Sequence, residues 1–161
     1  GKKSHTPPFI KALFYELLDI LSEVKTIEEF DRAKNKITDK ISNCVRKVQA
    51  KEIPLSDLAF NVMLSKAPND YVKTIPQHIR AAKQLESIRE IKKGETISYV
   101  KILNKPGVKP VELARQSEID SSKYMEFMES TLNQITSSMN LDFDTILGKP
   151  KQTGLDQFFW N

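Results

Sequence analysis

The residue types that perform most protein chemistry are few in this sequence and poorly placed for catalysis. The single cysteine, Cys44, lies on an apolar helical stripe, and the two histidines, His5 and His78, are far apart in the chain. A nucleophile needs an adjacent base, and a histidine-based metal site needs several ligands at defined spacing. Gly94 and Gly107 are isolated, so no glycine-rich phosphate loop is predicted. We therefore expect no catalytic residue, no metal site and no cofactor in this chain.

One acidic pair, Asp142-Phe-Asp144, invites comparison with the paired carboxylates that hold catalytic Mg²⁺ ions. It follows a helical segment, and no strand pattern surrounds it. The pair is better explained as a cap on the short turn Thr145-Ile-Leu147, because Asp is a preferred residue at helix starts.

The C-terminal residues Gln152-Thr-Gly-Leu155-Asp-Gln-Phe158-Phe159 follow the pattern Q-x-x-h-x-x-a-a, where h is aliphatic and a is aromatic. One helical turn places Leu155, Phe158 and Phe159 on the same side, and the Gln152 amide can add hydrogen bonds. The motif resembles the box by which replication and repair proteins bind the sliding clamp (PCNA). That resemblance implies a clamp-binding tail behind a polar linker. The alternative is a tail that folds back to cover its aromatic residues.

A second series of motifs runs through the middle of the chain. Leu64-Ser-Lys66 precedes Tyr71, which is followed by the segment His78 to Leu85, the segment Gly94 to Val100, and then Asp120-x-x-x-Tyr124. In this order they resemble the thumb region of archaeal and eukaryotic B-family DNA polymerases, over nearly the whole chain. Together with the clamp motif, they are most similar to the C-terminal thumb part of a crenarchaeal replicative polymerase.

The resemblance implies a lobe that grips primer–template duplex DNA without reading its sequence. Lys and Arg can neutralise phosphates, and hydroxyl or imidazole groups can donate hydrogen bonds to phosphate or sugar. The candidate DNA-binding residues are Ser65, Lys66, Tyr71, Lys73, His78, Arg80, Lys83, Ser98, Tyr99 and Lys101. His78 is equally well explained as a helix cap, and Tyr99 as a half-buried core residue.

Two positions depart from the family pattern. Val62 stands where many members have Lys, so the phosphate contact expected there is lost or moves to Lys66. Gln77 separates Pro76 from His78, which leaves the start of that helix open by one residue. The resemblance also implies that the catalytic carboxylates and their Mg²⁺ lie upstream, in the palm of a parent DNA-directed DNA polymerase. The implied partners are duplex DNA, the clamp, the palm and accessory subunits.

Composition is consistent with this interpretation and excludes other classes. The 161 residues carry a net charge of +4, with an isoelectric point near 9.1, which weakly favours a polyanionic partner. No apolar run approaches the roughly 18 residues of a membrane span, and no signal peptide is apparent. One cysteine excludes an internal disulfide framework, so we expect an intracellular protein. The resemblance to a replicative polymerase implies a cytoplasmic, nucleoid-associated location. A first residue of Gly suggests a piece of a larger chain.

The hydropathy pattern predicts an α+β fold that is predominantly α-helical. The sequence divides into an N-terminal helical hairpin (1–53), a distal lobe (54–147), and a linker with the clamp-binding tail (148–161). The predicted elements are a helix of about 18 residues capped by Thr6, a second helix capped at Thr26 to Glu29, a strand Leu58–Leu64, a helix Pro76–Ile88, a strand Thr96–Leu103, a short helix Pro110–Gln116 and a long helix after Asp120.

One rival hypothesis belongs to a different functional class. A stand-alone, non-enzymatic adaptor could bind the clamp and another protein with no role on DNA. Such an adaptor has no need to bring Lys66, Arg80, Lys83 and Lys101 together, so their placement in the fold separates the two hypotheses.

Overall fold

Three long amphipathic helices form one layer of the structure, and a small sheet with its own helix forms the rest. The computed structural model describes residues 5–148 and confirms the predicted α+β class. The helices are Pro8–Ser22 (α1), Ile27–Gln49 (α2), Leu55–Leu58 (α3), Gln77–Leu85 (α4), Ser121–Ser138 (α5) and Phe143–Ile146 (α6). The strands are Phe60–Met63 (β1), Thr96–Lys101 (β2) and Val108–Pro110 (β3), with 3₁₀ turns at Pro68–Asp70 and Gln116–Glu118.

The helical layer consists of α1, α2 and α5, which pack against one another. Helix α1 buries Ile10, Leu13 and Leu17, a spacing that puts one apolar face toward its neighbours. At the start of α2 the Thr26 hydroxyl accepts a hydrogen bond from the Glu29 backbone N–H at 3.1 Å. The Thr26 cap is thus confirmed, and a short connection joins α1 to α2.

The start of α1 differs from the prediction. Thr6 is buried but is not the cap residue; that position belongs to Pro7, which makes no side-chain cap hydrogen bond. Pro8 follows, and a residue that precedes proline is driven out of the helical region of backbone space. Pro7 is accordingly extended, with φ −58° and ψ 147°, and the helix is 15 residues long rather than about 18.

The sheet has the order β1-β2-β3, and both pairings are antiparallel. Helix α4 packs on β2 and β3. Strand β3 was not predicted, and the predicted helix Pro110–Gln116 is wrong: Pro110 ends β3, and the nearby 3₁₀ turn begins only at Gln116. A three-residue edge strand carries almost no periodic signal, and proline is tolerated at such an edge because its missing N–H is not needed there.

Other boundaries shifted by a few residues. Leu58 belongs to α3, so β1 starts at Phe60, and β2 ends at Lys101 rather than Leu103. Helix α4 ends at Leu85, and Ile88, predicted to face inward, is 63% exposed. The division of the chain at 53/54 and 147/148 remains a prediction.

Tyr124 connects the helical layer to the sheet. Helix α5 starts after Asp120, whose carboxylate accepts from the Lys123 N–H at 3.2 Å, as predicted. One turn later the buried Tyr124 hydroxyl donates to the Leu58 carbonyl at 2.8 Å and accepts from the Lys101 N–H at 3.0 Å. Burial raises the pKa of the Tyr124 phenol, so the hydroxyl stays neutral and retains its donor role.

We expect Tyr124→Phe to lower the free energy of unfolding by about 1–3 kcal/mol, because it leaves a buried carbonyl and a part-buried N–H without their partner. Urea denaturation measures this loss. Tyr99→Phe is the matched control: its ring is also buried, but within residues 5–148 its hydroxyl makes no hydrogen bond. That variant should stay within about 0.5 kcal/mol of the wild type. Equal losses in the two variants would show that the Tyr124 hydrogen bonds do not stabilise the junction.

Candidate nucleic-acid interface

Four of the predicted DNA-binding residues meet in one place, which we name the Tyr71 cluster: Ser65, Lys66, Tyr71 and His78. The Ser65 and Tyr71 hydroxyl oxygens lie 3.2 Å apart. The Lys66 ammonium lies 4.5 Å from the centre of the Tyr71 ring, and the Tyr71 and His78 rings meet edge to face at 6.4 Å. The cluster therefore offers hydroxyl, ammonium and imidazole groups side by side, which is the donor set that a phosphodiester accepts.

The local chain path explains this meeting. Buried Leu64 anchors the end of β1, donating its N–H to the Glu95 carbonyl at 2.8 Å and accepting from the Gly94 N–H at 2.9 Å. The segment then makes the 3₁₀ turn Pro68–Asp70 and reaches α4. Pro76 is the cap residue of α4 and makes no side-chain cap hydrogen bond. His78 is therefore the second residue of the helix and does not serve as its cap.

Lys101 joins the same region from β2. Its ammonium donates to the Gln77 side-chain oxygen at 3.0 Å and lies 5.1 Å from the centre of the Phe60 ring. Arg80 follows Gln77 by three residues on α4, and Lys83 follows Arg80 by three, a spacing that makes them neighbours on a helix surface. Lys101 thus contacts the first residue of α4, and Lys66 contacts Tyr71 in the segment that leads to this helix. Arg80 and Lys83 lie further along α4.

Positive charge is concentrated in this part of the chain. Residues 60–110 contain ten Lys and Arg against four Asp and Glu, a net charge of +6; the remainder contains fifteen against seventeen, a net charge of −2. Within residues 5–148, no ion pair joins Lys66, Lys73, Arg80 or Lys83 to a carboxylate. Their charges are therefore available to an external anion. The net charge of +4 for the whole chain is smaller than the local excess because the other residues are net negative.

Asn61 and His5, which were not among the predicted DNA-binding residues, are two further polar residues of this region. Asn61 lies opposite Ser98 in the β1–β2 pair, and its side-chain oxygen accepts a short hydrogen bond from the Ser98 hydroxyl. The Asn61 carbonyl oxygen lies 3.2 Å from Nδ1 of His5. His5 is thus held against the middle of β1, although 55 residues lie between it and Asn61 in the sequence. A polar residue in the middle of β1 was the available signal for Asn61.

Tyr99 lies in the core rather than on the exposed surface. Its side chain is 7% exposed, and its ring stacks on Phe60 at 5.4 Å. Burial raises the pKa of its phenol. The packing role considered from the sequence accounts for these features, and a DNA contact by Tyr99 remains a prediction. Lys73, in contrast, is exposed in the segment that leads to α4.

The residues considered for catalysis have structural roles. Burial raises the pKa of the Cys44 thiol to about 11, so it is protonated near neutral pH and is not an effective nucleophile. Asp142 caps α6: its two carboxylate oxygens accept from the Asp144 N–H at 3.3 Å and the Thr145 hydroxyl at 3.1 Å. These residues do not fit a Mg²⁺-binding pair. Across residues 5–148, no group of three His, Cys, Asp or Glu is placed to hold a metal ion.

The predicted clamp-binding residues Gln152, Leu155, Phe158 and Phe159 lie outside the described residues. Their assignment therefore remains a prediction from the sequence. Among residues 5–148, no helix has the length and apolar character that crossing a membrane requires.

Comparison with known proteins gives a consistent result. The family model for DNA polymerase family B matches residues 4–146. DNA polymerase 1 of Sulfolobus acidocaldarius is 37% identical over 160 residues, which is 99% of this chain and 18% of the relative. DNA polymerase 1 of Saccharolobus solfataricus is 37% identical over 159 residues, 98% of this chain and 18% of the relative. The chain thus spans less than a fifth of the length of these relatives.

The fold is also shared with a solved structure, the family B DNA polymerase from the hyperthermophilic archaeon Pyrobaculum calidifontis. The TM-score is 0.64 at 20% sequence identity, over 81% of this chain and 17% of that chain. The match of the family model over most of the sequence, together with these relatives, shows that the chain belongs to DNA polymerase family B.

Proposed function

We propose that this chain is the thumb part of a family B replicative DNA polymerase. In this role it grips primer–template duplex DNA without regard to sequence, and its C-terminal motif tethers the enzyme to the sliding clamp. Family membership supports a polymerase context. The motif order from Leu64 to Tyr124 and the clamp motif at Gln152 to Phe159 support the assignment to the thumb.

The uncompensated positive charge around α4 is the observation that carries the proposal. Lys66, Arg80 and Lys83 have no carboxylate partner within residues 5–148, and the segment 60–110 holds a net charge of +6. Contacts from such cations to phosphates fix the position of a duplex but carry no sequence information. A replicative enzyme needs this kind of contact, since it must hold every sequence that it copies.

The clamp motif contributes in a different way. A tail that holds the enzyme on a ring around DNA converts each rebinding to DNA into an intramolecular event at high effective concentration. Processivity then rises without tighter DNA contacts. The palm of the parent enzyme, accessory subunits and a nucleoid location belong to the same proposal, and the catalytic Mg²⁺ would be bound by the palm rather than by this chain.

The proposal is tested by titrating a fluorescent primer–template duplex with the chain and reading anisotropy at several salt concentrations. We expect binding that does not depend on the DNA sequence. The logarithm of the binding constant should fall linearly with the logarithm of the salt concentration, with a slope of about 0.9 per phosphate contact. An unrelated duplex of equal length should bind equally well.

Absence of DNA binding at low salt would contradict the proposed grip and would favour the hypothesis of a clamp-binding adaptor. The comparisons do not favour that alternative, and the concentration of unpaired cations gives it no support. Binding that depends strongly on sequence would contradict the proposal as well, because phosphate contacts alone do not discriminate between bases.

A further inference from the structure

A groove opens between α1 and α2 near the end of the hairpin that these helices form, and we name it the hairpin groove. Its volume is about 620 Å³. The apolar part of its lining consists of Ile20, Val24 and Ala33. Ile20 and Val24 pack against the core but are only half-buried, so they still present apolar surface. A ligand with an apolar face can therefore bury area in this groove.

The two sides of the groove carry opposite charges. Asp19 and Glu23 line it from α1 and the C-terminal cap of that helix, and we name them the acidic wall. Arg32 and Lys36 line it from α2, and we name them the basic wall; Glu29, in the first turn of α2, adds a further carboxylate. The two residues of each wall are four apart, so they are neighbours on the helix surface. Both walls are exposed, and within residues 5–148 none of these five side chains forms an ion pair.

The walls belong to a seam that is closed one turn farther from the hairpin end. The Lys40 ammonium lies 3.4 Å from a Glu16 carboxylate oxygen, which links α2 to α1. Glu16 precedes the acidic wall by three residues, and Lys40 follows the basic wall by four. The same charges thus meet directly at Glu16 and Lys40 but leave a groove between them at the hairpin end. Opposite charges that line a groove in this way favour a ligand that contacts both walls.

Duplex DNA does not suit this groove. Residues 16–31 contain six Asp and Glu against one Lys, a net charge of −5, which repels phosphates. The proposed DNA surface lies toward the other end of α1, where the rings of Phe9 and Tyr124 are 6.1 Å apart and Tyr124 bonds to Lys101 of β2. From Phe9 to Ile20 the helix extends about 16 Å, at 1.5 Å per residue. A protein ligand in the groove is therefore compatible with DNA on the sheet side.

We infer that the hairpin groove binds an amphipathic helix of a separate protein, an accessory subunit of the polymerase. The apolar stripe of that helix lies on Ile20, Val24 and Ala33. Lys or Arg on one flank meets the acidic wall, and Asp or Glu on the other flank meets the basic wall. Charges that flank an apolar seam set partner choice and orientation in paired helices, and a groove that takes an amphipathic helix is a recurring mode of recognition. The inference goes beyond the DNA grip and uses none of the residues assigned to it.

The probe for this inference is a labelled synthetic helix of about 18 residues, a length at which a peptide can be helical in water. It carries a stripe of Leu, with Lys along one flank and Glu along the other. We expect saturable binding to the chain in fluorescence anisotropy. A full-length parent polymerase should bind the probe with the same affinity, because the groove is open to a separate subunit there as well. A control peptide with Ala in place of each Leu keeps the charges and should bind at least roughly tenfold more weakly.

Reversing the acidic wall tests the charge pattern. Asp19→Lys with Glu23→Lys turns two attractions into repulsions and should weaken binding of the probe roughly tenfold at low salt. Both walls are then basic, so a second probe with Glu along both flanks should bind this variant more tightly than it binds the wild type. The matched control is Glu112→Lys with Glu129→Lys, which makes the same change in net charge at two exposed positions outside the groove. It should bind the first probe like the wild type, and circular dichroism checks that both variants fold.

Several results would overturn the inference. The chain might bind neither probe, or the acidic-wall variant and its control might weaken binding equally, which would make the effect one of net charge. Binding to the chain but not to the full-length polymerase would show that another part of the enzyme fills the groove. Sedimentation that shows a dimer of the wild type and a monomer of the acidic-wall variant would assign the groove to a second copy. The proposed DNA grip is unaffected by each of these outcomes, because it is measured with DNA and rests on other residues.

Discussion

Replacing Lys66 and Lys83 by alanine is expected to weaken binding to duplex DNA by roughly 10- to 100-fold near 0.1 M salt and to lower the salt slope by about 1.8. Both effects follow from two lost phosphate contacts, each of which releases bound counterions from DNA. Neither lysine is held by a carboxylate within residues 5–148, so its charge is free to act on the ligand. Anisotropy titrations over a salt series measure both quantities, in the isolated chain and in a parent polymerase.

The matched control is Lys11→Ala with Lys36→Ala, which removes two exposed lysines from the helical layer. It changes the net charge by the same amount outside residues 60–110, so its salt slope should stay close to that of the wild type. Lys66→Arg should preserve binding because the charge remains. If the Lys66 and Lys83 pair and the control pair lower the slope equally, the grip is a property of net charge and not of the surface around α4.

The parts of this fold that were predictable are those whose signal is local. The repeat of apolar residues at three and four positions identified α1, α2, α4 and α5, because that spacing makes one face of a helix. Cap residues fixed two starts, at Thr26 and at Asp120. At α1 the same rule failed, since the second of two prolines forces the first into an extended conformation.

The parts that were not predictable depend on contacts between distant segments. Strand β3 has only three residues, and it is a strand because it pairs with the edge of β2. The role of Tyr124 was equally invisible: a tyrosine on a helix gives no hint that its hydroxyl bridges Leu58 and Lys101. Only the assembled fold places these groups within hydrogen-bonding distance.

The candidate site shows the same division. Family motifs named Ser65, Lys66, Tyr71 and His78 individually, and the structure shows that they form one cluster. The sequence treated His5 and His78 as distant residues and drew from that only the absence of a metal site. The structure gives each histidine a partner that the sequence did not indicate: the Asn61 carbonyl oxygen for His5 and the Tyr71 ring for His78. Chemistry that depends on pairs of residues is therefore the part that sequence reasoning reaches last.

Replacing Phe158 and Phe159 by alanine is expected to weaken binding to a sliding clamp at least about 100-fold while leaving the fold intact. Aromatic anchors in an interface pocket commonly contribute 2 kcal/mol or more each when truncated, so the loss of two removes most of the binding energy of a short motif. The motif begins after residue 148, where the description of the fold ends. Isothermal titration calorimetry with the clamp measures the loss, and circular dichroism checks the fold.

The non-motif positions inside the same segment provide the control. Asp156→Ala with Gln157→Ala changes two side chains at variable positions of Q-x-x-h-x-x-a-a, so it should leave clamp affinity nearly unchanged. Comparison of the two double variants shows whether clamp binding depends on the two aromatic side chains or on the tail in general. If the Phe158 and Phe159 variant binds the clamp like the wild type, the tethering part of the proposed function is wrong, although the DNA grip around α4 is untouched. If it also unfolds at a lower temperature than the control, the aromatic residues pack on the chain itself, which is the fold-back alternative.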